Sequence, residues 1–202
     1  QCLGLRPDES CLIVTDDERT AIAEALYAVA TEVTDDTGLI RYQPGEQHGE
    51  EPPTPVATAM TGADVVLAPT TKSLSHTSAR VEANDAGARV ATLPGITDGV
   101  FLMGMEADYE AILKACGRLI DAVGDADEIR VTSPQGTDIT IETGDRDWQE
   151  DTGIISRPGQ MTNLPAGEVF LSPESADGTV VVDGTMMPHG KLDERQAIEF
   201  TV

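Results

Sequence analysis

An α/β fold is the class this sequence predicts: an N-terminal parallel-type sheet with flanking helices, followed by a β-rich (α+β) segment belonging to a second domain. Three observations predict it. Short apolar runs alternate with helical periodicity from residue 10 to residue 123. Runs such as "ADVVLAP" are continuously apolar, as strands covered on both faces are. Beyond Gly124 the pattern changes to short alternating segments separated by Gly, Pro and Asp. The reading divides the chain into an α/β domain over 1–124 and a β-rich part of a second domain over 125–202. Because it opens on Gln1 and a core-like "CLGL" run, its start is expected to be truncated.

In order, Leu12, Ile13 and Val14 form a buried strand, after which the period changes. Thr15 followed by Glu18 reads as a capping box that starts a helix, with Ile22, Ala25, Leu26, Val29 and Val33 on one face. "GLIRYQP" is a second strand closed by Pro44, and the acidic "GEQHGEEPPTP" is a loop. A short helix over Val56 to Met60 precedes the "ADVVLAP" strand, "HTSARVEANDAG" is a helix ended by Gly87, and "ARVATLPG" is the next strand. Tyr109, Ile112, Leu113, Cys116, Leu119, Ile120 and Val123 mark an amphipathic helix. Two alternating strands then flank "SPQG", and "GEVFLSP", "GTVVVDGTM" and "AIEFTV" continue as short antiparallel strands.

Composition narrows the function classes. With 36 acidic against 13 basic residues and a net charge of −23, the surface is too acidic for nucleic acid. The acids are scattered through periodic segments, so they read as solvated faces of a folded protein rather than a tail. Such self-repulsion is tolerable where salt screens it, which predicts a halophilic, cytoplasmic protein. No run of eighteen apolar residues exists, so no membrane span is expected, and residues 1–10 hold no signal-peptide pattern. Cys2, Cys11 and Cys116 form no CxxC pair and read as reduced and buried.

No Walker loop, GxSxG elbow, HExxH or GxGxxG occurs, and no catalytic residue is identified. His48 in the acidic loop reads as solvent-exposed. His76 begins the helix after the "DVVLAP" strand, at the carboxyl edge where open α/β sheets bind ligands. His76 and His189, the latter in "MMPHGKL", are therefore candidates to line a cleft, against helix-start packing for one and plain surface for the other. Glu168, in "NLPAGEVFLSP", shares a strand face with Phe170 and is either a solvated edge acid or a ligand.

Over residues 60 to 200, "TTKSLSHTSARVEANDAGARVATLPGIT" together with "NLPAGEVFLSP" resembles the thermophilic leucyl aminopeptidase (aminopeptidase T) family of metallopeptidases. The resemblance implies that Glu168 is a metal ligand, turned inward toward a site of two divalent ions, zinc, cobalt or similar. It implies a peptide substrate that loses N-terminal residues, and a homodimer. In that family the other ligands, a further Glu, His residues and an Asp, lie downstream in the C-terminal metal-binding domain. The chain is therefore expected to be a fragment, inactive alone. The 2,5-dihydroxypyridine ring-opening dioxygenases resemble the same family and use a single ferrous ion, which gives the alternative function. A non-catalytic acidic binding or assembly module is the third reading.

Overall fold

Three runs of β-branched and small apolar residues build the centre of the fold, because each is apolar on both pleated faces and must be covered twice. The computed structural model describes residues 2–186, 189–193 and 196–202. The chain order is β1 Cys11–Asp16, α1 Thr20–Thr31, β2 Thr37–Tyr42, α2 Thr54–Met60, β3 Val65–Ala68, α3 Ser78–Asp85, β4 Arg89–Thr92, α4 Asp98–Met105, α5 Tyr109–Val123 and β5 Glu128–Thr132. It continues through β6 Asp138–Glu142, β7 Gln149–Asp151, β8 Met161–Asn163, β9 Glu168–Phe170, β10 Ser175–Val182, β11 Thr185–Met186, β12 Gly190–Lys191 and β13 Ile198–Thr201.

The expected parallel sheet is present, with five strands in the order β2-β1-β3-β4-β8 and every pairing parallel. All six residues of β1 and all four of β4 are buried. Successive residues serve opposite faces: Cys11, Ile13, Val65 and Ala91 pack with Ile22, Ala23 and Ala30 of α1 and Tyr109 of α5. On the other face Leu12, Val14, Val66 and Val90 meet Val56 and Met60 of α2 and Ala79 and Ala83 of α3. Four of these helix contacts are alanines, which let the helices approach the sheet closely.

The expected antiparallel part is present too, as a four-stranded sheet ordered β13-β10-β6-β5. Residues 1–116 and 151–168 form one compact unit, and 117–150 and 169–202 the other. The chain thus changes unit three times, where the sequence reading places one boundary. The reason is β8, a three-residue strand that returns to pair with β4 through Val90–Met161, Ala91–Thr162 and Thr92–Asn163. Three residues are too few to display a period.

Two local expectations are corrected. Thr15 caps no helix: it is a fully buried strand residue whose hydroxyl donates to the Pro69 carbonyl at 2.9 Å, and α1 starts five residues later, at Thr20, with no side-chain cap. The buried face of α1 is Ile22, Ala23 and Ala30, while Val29 is 63% exposed and Val33 lies open as well. Helix α4 was not foreseen. Its start is fixed by Thr97, whose hydroxyl accepts the Val100 N–H at 3.4 Å; none of its residues is fully buried, and Phe101 and Met105, which pack against the core, are too short a stripe to read. The three cysteines are buried and free.

Candidate functional site

Open α/β sheets bind ligands beyond the carboxyl ends of their strands, so the polar groups that collect there are the ones to account for. Strand β1 ends on Asp16, which is 1% exposed. Its carboxylate accepts from Glu18 N (3.0 Å), Thr71 N (2.5 Å) and Thr71 Oγ1 (3.0 Å), tying β1 to the connection after β3. Beside it, burial first, then the charges of Asp16 and Glu50, push the Tyr42 phenol up to about 12, so it stays a neutral hydroxyl. Burial likewise pushes the Cys11 thiol up to about 11, which leaves it a packing group rather than a nucleophile.

Farther along the same edge three side chains meet. Thr92, the last residue of β4, and Ser75, from the β3–α3 connection, lie 2.8 Å apart through their hydroxyls. Both donate to Oδ1 of Asn163, the last residue of β8, at 2.6 and 2.9 Å. Ser73 Oγ supports Ser75 from behind at 3.0 Å. The backbone N–H of Asn163 donates to Asp151 Oδ2 at 3.0 Å, and the Thr162 hydroxyl and Gly153 N donate to Asp151 Oδ1. Asp151, Asn163, Pro165, Ala166, Gly167 and Glu168 line a pocket of about 360 Å³.

The turn that carries Glu168 is held from behind by α4 and α5. Pro165 packs against Gly104 so tightly that a Cβ there would overlap the ring, and Gly167 lies against Ile112. The Cys116 thiol reaches the Glu168 carbonyl at 3.9 Å, and the Tyr109 hydroxyl donates to the Gly104 carbonyl at 3.2 Å. Glu168 itself is exposed, on the same face as exposed Phe170, with half-buried Val169 opposite. Its carboxylate has no hydrogen bond or ion pair among the described residues. The acid expected to turn inward therefore opens to solvent at the pocket.

Neither candidate histidine joins this pocket. His76 is exposed, one residue before Thr77, which caps α3 by accepting the Arg80 N–H. His189 lines a separate pocket of the second unit with Lys191, Leu192, Gln196, Ala197 and Ile198. His48 is exposed as expected, its Nδ1 accepting the Ser73 N–H at 3.0 Å. Among the described residues no group of three or more His, Cys, Asp or Glu side chains is placed to hold a metal ion. Glu168 and Asp151 share a pocket but do not amount to a divalent-metal site. Sequence reasoning missed Asp151, which carries no motif, and gave no role to Ser75 and Thr92, although both stand inside the quoted "TTKSLSHTSARVEANDAGARVATLPGIT" stretch. Asn163 stood inside the quoted "NLPAGEVF" stretch without a role.

The family model of NicX, 2,5-dihydroxypyridine 5,6-dioxygenase, matches residues 4–199. The chain belongs to this family. Among solved structures it is similar to the 2,5-dihydroxypyridine dioxygenase from Pseudomonas putida KT2440, with a TM-score of 0.75 and 19% identity over 98% of this chain and 60% of that one. It is also similar to wild-type AmpT from Thermus thermophilus, with a TM-score of 0.62 and 16% identity over 89% of this chain and 61% of that one. At such identities the likeness is one of fold. The chain spans about three fifths of the length of both solved relatives. No curated protein matches it. The aminopeptidase T resemblance thus holds at the level of fold, while the NicX family is the one the sequence reading gave as its alternative. No helix among the described residues is long and apolar enough to cross a membrane.

Proposed function

We propose that this chain is part of an enzyme that opens a hydroxylated pyridine ring with dioxygen, and that Glu168 contributes to its metal site. The family match over residues 4–199 carries the reading. An unpaired carboxylate in a pocket at the ligand-binding edge of the sheet supports it, since a carboxylate is a hard ligand suited to a divalent ion. The cofactor proposed is a ferrous ion, which would supply the means of activating dioxygen when bound. The described residues do not complete its coordination sphere, so the remaining ligands belong outside them, and this chain alone would be inactive.

Its own part is to offer Glu168 from a turn braced by Pro165 on Gly104 and Gly167 on Ile112. A hydrolytic reading, release of N-terminal residues from peptides by two divalent ions, is kept as second because the AmpT fold is shared. Oxygen uptake by the native protein with ferrous ion and 2,5-dihydroxypyridine tests the first. Turnover of leucine anilides with zinc or cobalt, and no oxygen uptake, would replace it with the second.

A further inference from the structure

We infer that Asn163 is a substrate-binding donor, its amide held by Ser75 and Thr92 so that the NH2 group takes the oxygen of a neutral hydroxypyridine or pyridone ring in the Asp151–Glu168 pocket. The ligand class rests on the proposed function; the donor rests on geometry. Oδ1 of Asn163 is occupied by two hydroxyls that are almost wholly enclosed, Thr92 at 0% and Ser75 at 4% exposure. Nδ2 makes no hydrogen bond among the described residues, although Asn163 lines the pocket. The reverse orientation would turn a carbonyl dipole toward a cavity that already holds the carboxylates of Asp151 and Glu168. The observed one places the only side-chain N–H donor of the lining among acceptors.

This arrangement also selects on charge. In the metal-free protein two carboxylates and, among the described residues, no cationic side chain line the pocket, so a ring bearing its own carboxylate is repelled, while a neutral ring oxygen accepts from Asn163. Thr92 and Ser75 are positioning residues, because they fix the amide without lining the cavity.

Titration of the metal-free protein, labelled with 15N at asparagine, against 2-pyridone and against its 5-carboxylate reads the donor directly. The Asn163 side-chain NH2 resonances are expected to move saturably with 2-pyridone, and the carboxylate to bind about tenfold more weakly or worse. Asn163→Asp keeps an acceptor for both hydroxyls and removes the donor, so 2-pyridone affinity falls by about tenfold or more. Thr92→Val weakens it less, and Glu168→Gln narrows the gap between the two probes. Stationary NH2 resonances at saturating 2-pyridone, or equal affinity in Asn163→Asp, would overturn the inference. Should Asn163→Asp fail to fold, the wild-type resonances decide alone. Pyridone binding without oxygen uptake would leave this inference standing and defeat the proposed function. Oxygen uptake with stationary NH2 resonances would do the reverse.

Discussion

The two ends of the parallel sheet treat their polar groups oppositely. At the amino end Arg89, buried at the start of β4, makes a bidentate pair with Glu9 at 3.0 and 2.6 Å and donates to the Leu3 and Gly4 carbonyls. Ser10 and Asp64 close on each other through three further hydrogen bonds. At the carboxyl end, Asp16 and the Ser75–Thr92 pair are as well satisfied, but the outermost groups, Asn163 Nδ2 and the Glu168 carboxylate, have no partner among the described residues. A closed network holds the chain together. An open one, kept rigid by a closed one behind it, is what a ligand can use.

The contrast can be broken most severely at its closed end. Glu9→Gln should strip the buried guanidinium of its counter-charge and cost about 3 kcal/mol in denaturant unfolding. The Arg89 hydrogen bonds hold the Glu9 carboxyl below the usual carboxylate range, against the opposing effect of burial. A lowered folded value means that the stabilisation is complete above the ordinary carboxylate pKa and is lost as pH falls through the lowered one. Melts of wild type against Glu9→Gln should therefore converge in acid and diverge toward neutrality. Next, Asp16→Ala should cost about 2 kcal/mol in the same assay by orphaning the Thr71 and Glu18 N–H groups. Smaller still, Thr77→Ala removes the α3 cap and should cost about 1 kcal/mol, seen as a lower thermal midpoint. The smallest effect belongs to the open end: Glu168→Gln should leave stability within about 0.5 kcal/mol. Ferrous-ion retention by the native protein should nevertheless fall on dialysis. A stability loss of the Glu9→Gln size at Glu168 would show that the carboxyl end is as closed as the amino end.

How much of this the sequence discloses follows from the length of each signal. Strands β1, β3 and β4 are buried on both faces, so their apolar runs announced a parallel sheet. Helix α5 showed its stripe through Tyr109 and Cys116, although Leu113 and Leu119 on that stripe are exposed. Strand β8 escaped notice, since its membership depends on pairing with β4, a property of the fold and not of "MTN". The site divides similarly. Glu168 was found through its motif, but the residues alone left it open between a solvated edge acid and a ligand, because alternation gives the face of a strand and not what covers it. Ser75 and Thr92 are ordinary hydroxyls in the sequence and become a clamp only because β4, β8 and the β3–α3 connection end side by side.

The contact between Gly104 and Pro165 has a bearing on how this protein can change over generations. A glycine inside a helix is a poor helix former by about 1 kcal/mol relative to alanine. Alanine at this position would ordinarily be a gain, and random drift would supply it. Here its methyl group would occupy space already filled by the Pro165 ring. Positions 104 and 165 are therefore bound to vary together: a side chain on α4 becomes admissible only after the turn has given up its ring, and then the path of the chain toward Glu168 is free to shift.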